Sequence, residues 1–313
     1  DRKFTSITND NLVLLENQNN STSGGQVLYS TIYDLSVEGG NNSGLFSSIQ
    51  AGNKLTLKNI RLSGANIAGG NNSNAGGLVG SVAGELEVTG CQVFLTGNRG
   101  HLSDKDKQWI NGKNSGGIVG KIENTGNVSV KNSFASTTVN GSATVGGLVG
   151  SSEGGLNIEH SYADCYLKSN GSSGGLLGYG SDISTLRIKD AYAVGFILSG
   201  TSYGIAGKTL KAGDSVENAY TACAPLDEAV GSLNYSTVAG NNGGSVNNVY
   251  YLCSSENQIG ELKNWKSSDR QNAANILGSA FAGDDSSGLI TVAYNLKVSG
   301  LMSYTYPKLT GLN

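Results

Sequence analysis

Apolar and polar residues alternate along this chain in short bursts. The clearest burst is Leu186-Arg187-Ile188-Lys189-Asp190-Ala191-Tyr192-Ala193, with counterparts at Leu156 to Ala163, Val128 to Ala135 and Leu55 to Leu62. Shorter versions read Val216-Glu217-Asn218-Ala219-Tyr220 and Val246-Asn247-Asn248-Val249-Tyr250. Period-two alternation puts apolar side chains on one face of an extended strand and polar ones on the other, the mark of a half-buried β-strand. No segment of this region sustains a helical period.

A pentapeptide recurs between the bursts. It reads Gly76-Gly77-Leu78-Val79-Gly80, Gly116-Gly117-Ile118-Val119-Gly120, Gly146-Gly147-Leu148-Val149-Gly150 and Gly174-Gly175-Leu176-Leu177-Gly178. Weaker copies are Ser43-Gly44-Leu45-Phe46, Tyr203-Gly204-Ile205-Ala206-Gly207 and Thr237-Val238-Ala239-Gly240. Counted through Gly44, Gly77, Gly117, Gly147, Gly175, Gly204 and Thr237, the spacings are 33, 40, 30, 28, 29 and 33 residues. A fixed period of this length marks a repeat architecture. One repeat cannot bury its own apolar face, whereas stacked repeats can, each strand pairing in parallel with its copy in the next repeat about 4.8 Å away. The expected fold is therefore all-β, a parallel β-helix (β-solenoid) of about seven coils with two or three short strands per coil.

The Gly-Gly pairs suit tight corners, either because φ is positive there or because a side chain would collide with the next coil. An Asn-like residue holds one motif position, at Asn59, Asn132, Asp190, Asn218 and Asn248. Stacked corner amides and isolated Asx-turns both account for it. His160 stands at this position in its own repeat, which suggests a structural role.

Composition agrees with an ordered repeat. Glycine is abundant at 47 residues, but proline appears only 2 times, unlike most disordered Gly-rich linkers. With 21 basic and 24 acidic residues the net charge is −3, which argues against nucleic acid or an anionic membrane as partner. No apolar run approaches the roughly 18 residues that span a bilayer.

The chain divides into residues 1–24 as an N-terminal cap or partial coil, 25–253 as the repeats and 254–313 as a small C-terminal cap. The last segment is expected to hold a short helix over Ser268 to Leu277, with a Ser or Asp N-cap, and then one or two strands between Leu289 and Val298.

The pentapeptides resemble the GLUG repeat, whose core is Gly-Leu-(Val/Leu/Ile)-Gly and which occurs in bacterial surface and adhesin-like proteins. The resemblance covers roughly residues 25 to 255, and Ala280-Phe281 with Tyr306-Pro307-Lys308-Leu309 looks like the closing segment of such proteins. It implies an extracellular or cell-surface location, with a signal or anchor segment not among these residues. The implied partner is a host or neighbouring-cell glycan or extracellular protein. Some GLUG-bearing proteins are peptidases, but neither His101 nor His160 begins a His-Glu-x-x-His motif, so that activity is not carried over.

Little in the sequence suggests catalysis. The acids are dispersed, and the close pairs Asp104/Asp106 and Asp284-Asp285 read as solvated loop charges. No cofactor motif or metal-ligand spacing appears. Cys165, Cys223 and Cys253 share one motif position, with Gly195 between the first two. Cys223 and Cys253 on adjacent coils fall within Cα reach of a disulfide, although parallel in-register side chains favour buried thiols. Cys91 lies in another register and is expected to be free. Two features suggest binding. One coil is longer by about ten residues and carries His101 and Trp109, and such insertions often form the binding face. The other is an aromatic ladder of Phe134, Tyr162, Tyr192, Tyr220 and Tyr250. Facing outward it would offer Tyr162, Tyr192 and Tyr220 to a ligand, and facing inward it would stabilise the stack. The functional expectation is a non-catalytic, adhesin-like binding protein. The alternatives are a passive stalk, or a polysaccharide lyase or hydrolase, which would need a carboxylate cluster.

Overall fold

The computed structural model describes residues 6–8, 14–16, 22–23, 26–27, 31–70, 72–95, 109–225, 234–236, 239–251, 263–264, 289–292 and 304–307. These form a β-solenoid of about six turns, and no helix occurs among them. A representative turn starts with Val119–Ile122, from the pentapeptide, and continues through the alternating strand Asn127–Lys131. After a corner it follows Phe134–Ser136 and Thr138–Gly146, which ends on the next Gly-Gly pair. This last stretch was not anticipated, because its Gly, Asn, Ser and Thr content hides the strand period.

From Thr31 to Tyr251 the strands pair in parallel with their copies one turn on. Phe46–Ile49, Val79–Val82, Val119–Ile122, Val149–Ser152 and Leu177–Gly180 build one sheet with Ile7–Thr8. Most of the other ladders join into a second sheet, while Thr209–Leu210 pairs separately with Gly240–Asn241. Ile7–Thr8 and Leu14–Glu16 already pair with Phe46–Ile49 and Lys54–Lys58, so stacking begins before residue 25. Ser268 to Leu277 lies outside the described residues, while Leu289–Val292 forms an antiparallel pair with Tyr304–Pro307.

Core side chains run in columns parallel to the solenoid axis. One column is Leu57, Val88, Val130, Ile158, Ile188 and Val216, and another is Val37, Ile67, Ile110, Val139, Leu167 and Ile197. All are buried in one apolar cluster. The alternating strands supply these columns because every second side chain points inward.

The structure distinguishes two uses of glycine. At Gly117, Gly147 and Gly175 a Cβ would collide with the glycine carbonyl of the next turn and with Ala135, Ala163 and Ala193 respectively. These glycines have no positive φ, so close approach, and not turn conformation, selects them. The Ala that follows Phe134, Tyr162 and Tyr192 meets the same requirement from the other side. The corners instead use the Asn-like position: Asn59, Asn132, His160, Asp190 and Asn218 all adopt φ between 46° and 57°. Asn and Asp tolerate this left-handed region better than most residues, and Gly90 takes the place in one turn with φ 66°.

Candidate binding surface

The ladder tyrosines form a column closed to solvent. Phe134, Tyr162, Tyr192 and Tyr220 stack with ring centroids 4.7, 4.6 and 4.7 Å apart and planes within 10° of parallel. Tyr162, Tyr192 and Tyr220 are 7%, 0% and 1% exposed. They cannot offer ring faces to a ligand in this conformation, which corrects their assignment as contact residues. The backbone register continues from Tyr220 to Tyr250. At its other end Gln92 takes the aromatic's place beside Phe134, buried and with neither amide atom hydrogen-bonded.

The cysteines follow the expected registers. Gly195 separates Cys165 from Cys223 in one column, and Cys253 lies outside the described residues. Burial pushes the Cys91 and Cys223 thiols up to about 12, so neither is a nucleophile at neutral pH. Cys91 shares its column with Ser133, whose hydroxyl accepts the Cys91 N–H at 3.0 Å. His160 is a corner residue, its Nε2 2.8 Å from Asp190 Oδ2, and Asn218 donates to the other Asp190 oxygen at 3.1 Å. No group of three or more His, Cys, Asp or Glu that could hold a metal occurs among the described residues.

Sequence reasoning missed a buried ion pair. The core column Ile49, Val82, Ile122 shrinks to Ser152 and then Gly180. The stem of Lys208 fills the space left at Gly180. Its ammonium donates to Ser181 O, Ser184 O and Ser184 Oγ at 2.8, 2.7 and 2.9 Å and lies 3.5 Å from Asp214. Asp214 in turn accepts the N–H groups of Leu186 and Lys211 at 2.8 and 2.9 Å. The pair ties two corner loops on adjacent turns and is a fastening, not an open site.

One outer face is charged but largely self-paired. Lys54 bonds Glu87 at 2.6 Å, and Lys131 bonds Glu159 at 2.9 Å. The Lys54 hydrogen bond lowers the Glu87 carboxyl, and that of Lys131 lowers Glu159. A shallow depression of about 280 Å³ lies at this face's edge, between Lys54, Glu85 and Thr125.

Another face carries aromatics. Trp109 is half-buried and opens the strand Trp109–Gly116. It pairs with Thr138, Thr138 with Tyr166, and Tyr166 with Phe196. All four are half-buried, and their neighbours Ile110, Val139, Leu167 and Ile197 point into the core. Strand alternation therefore puts the row on the outer side. Beside it run Ala68, Asn111, Asn140, Lys168 and Leu198. Beyond the next bend is a polar ladder in which Asn74 donates to Asn42 at 2.9 Å, Asn114 to Asn74 at 2.8 Å and Thr144 to Asn114 at 2.8 Å. His101 lies outside the described residues. Tyr166 and Phe196 were not singled out from sequence, although each lies four residues after its ladder tyrosine. Aligning that offset would have found them, but the long insertion displaces Trp109 from it.

No family model, curated protein or solved structure matches the chain. No helix among the described residues is long and apolar enough to cross a membrane.

Proposed function

We propose that this chain is a non-catalytic, adhesin-like binding protein of the GLUG-motif kind, displayed outside the cell, and that it engages glycans or proteins through one long face of the solenoid. The observation that carries this reading is the outer row of Trp109, Tyr166 and Phe196. Stacked turns present it as a straight strip. Half-buried aromatics are held rigid by their strands and lose little entropy on contact. A passive spacer is the second reading, favoured by the charged face, where pairs such as Lys54–Glu87 satisfy one another.

The test is retention of the purified chain on an array of glycans and extracellular-matrix proteins, read against Trp109→Ala. A ligand lost in that variant supports the binding reading. Retention on no ligand class would overturn it in favour of the spacer.

A further inference from the structure

The tyrosine ladder is buried on the outer side of the solenoid wall. Ala191, Ala193 and Ile197 belong to the apolar cluster that fills the interior, as do Ala163, Cys165 and Leu167 one turn earlier. Tyr162, Tyr192, Val194 and Tyr220 stand outside that cluster, although all four are buried. Strand alternation sets them on the opposite side of the wall. Val194 is 1% exposed there, and Asp164, its partner one turn earlier, 5%. A second buried patch of this kind, separate from the core, forms beneath a covering segment. Tyr162, Asp164, Tyr192 and Tyr220 each take part in a polar, ring or electrostatic interaction beyond those within the stack. Among the described strands, Ser215–Pro225 is in extensive contact only with its copies on adjacent turns, and Thr185–Leu198 only with its copies and with Ser172–Gly174 of the same wall. The cover therefore comes from outside the described turns.

Burial rises toward the C-terminal end of the ladder. Phe134 is half-buried, whereas Tyr192 and Tyr220 are closed to solvent. Residues 252–313 continue from that end, where Ser245–Tyr251 carries the ladder register onward. Two strands of this tail, Leu289–Val292 and Tyr304–Pro307, pair with each other and with no other described strand. Ile290 pairs with Tyr306 and Val292 with Tyr304, so these four large apolar residues share one face of the hairpin. Leu289, Thr291, Thr305 and Pro307 share the other. A lone two-stranded hairpin is marginal in water and becomes stable when such a face is packed. We propose that the hairpin lies along the outer side of the last turns, with its Ile290, Val292, Tyr304 and Tyr306 face docked on Tyr192, Val194 and Tyr220. The ladder supplies an apolar surface that needs a cover, and the hairpin an apolar face that needs a support. Tyr166 and Phe196 are half-buried and mark the edge of the cover. The row they form with Trp109 runs beside the docked hairpin and stays open.

The experiment uses the whole chain and reads tyrosine nitration by tetranitromethane, residue by residue, with peptide mass spectrometry. The double variant Ile290→Asp/Val292→Asp places charge on the docking face, and Thr291→Asp places it on the other. Tyr33, at a position 67% exposed, is the internal control. Hydrogen exchange of residues 185–198 is followed in parallel, so that loss of the cover is distinguished from opening of the solenoid. The expected result is that Tyr192 and Tyr220 resist nitration in the unmodified chain and react about tenfold faster or more in the double variant, with backbone protection kept. Tyr33 should react equally in all three proteins, and Thr291→Asp should leave the ladder protected. Unchanged protection of Tyr192 and Tyr220 in the double variant would overturn the proposal, and an equal rise in Thr291→Asp would overturn the assignment of the docking face. A second measurement needs no destabilised protein. A benzophenone side chain at position 292 of the otherwise unmodified chain should photocrosslink to peptides from 185–198 or 215–225, whereas adducts confined to other parts of the chain would refute the docking.

Discussion

Replacing Gly147 by Ala tests the close-approach argument at its tightest point. The added methyl would meet Gly175 O and the Ala163 Cβ closer than 3.0 Å, a separation that real Cβ atoms essentially never show. Neither neighbour is a flexible side-chain end, so the turns must part. The bonds at risk are Gly147 N–H to Gly174 O at 3.3 Å and Leu148 N–H to Leu176 O at 3.0 Å. Each contributes about 1 kcal/mol net. Forcing a methyl into a packed interior costs a further 1–3 kcal/mol or so. The alanine returns a little under about 1 kcal/mol by restricting the unfolded chain. The expected loss is about 3 kcal/mol. Gly52→Ala is the comparison, because Gly52 has φ 82° but no heavy atom within 4 Å of the added Cβ. Its cost is the left-handed penalty alone, roughly 1–2 kcal/mol. Urea unfolding of both variants, with hydrogen exchange to locate the weakened interface, measures the difference. If Gly147→Ala proved no worse than Gly52→Ala, the glycine columns would be conformational devices and the close-approach account would fail.

Three further outcomes follow from the same geometry. Tyr192→Ala should cost about 3–5 kcal/mol by denaturant unfolding, whereas Tyr33→Ala, at a position 67% exposed, should cost little; equal effects would contradict the buried stack. Lys208→Met should cost about 3 kcal/mol, since it strands a buried carboxylate, and adding Asp214→Asn should recover part of that loss; no recovery would mean the Lys208 bonds to Ser181 and Ser184 matter more than the ion pair. Glu87 and Glu159 are held below the usual carboxylate range by Lys54 and Lys131, so their contribution is present above the unfolded value of about 4.3 and lost as pH falls through the lower folded value. Melting temperature should therefore fall on acidification below about pH 4, with a shallower fall in Lys131→Met, and an unchanged acid slope in that variant would remove Glu159 from the account.

Much of the architecture was legible because a solenoid repeats its constraints. The spacing of the Gly-Gly pairs, the alternation in Leu186 to Lys189 and the shared register of Tyr162, Tyr192 and Tyr220 each report on one turn, and their recurrence reports on stacking. Aligning the motif was enough to put Gly195 between Cys165 and Cys223, because parallel in-register pairing preserves sequence offset as spatial position. The strand before each Gly-Gly pair was missed because Thr138–Gly146 is mostly small and polar, with only Val139, Val145 and Gly146 buried. Its pairing is backbone hydrogen bonding to neighbouring turns, which leaves little trace in composition.

The candidate surface was harder to read than the fold. The sequence by itself determined which residues share a column within the alternating motif, where Phe134, Tyr162, Tyr192 and Tyr220 each follow a core residue of one column, Val130, Ile158, Ile188 and Val216, by four positions. It also determined the alternation that sends Leu186 and Ile188 to the core and Arg187 and Lys189 to solvent. Which columns remain open was decided by tertiary structure. Tyr192 and Phe196 are aromatic residues four apart in one strand, yet Tyr192 is wholly buried and Phe196 half-buried. Lys208 is charged and buried, because Gly180 leaves room for its stem and the corner loop of the previous turn supplies oxygens for its head. Exposure depends on what packs against a side chain from other parts of the chain, and that information is absent from any single repeat.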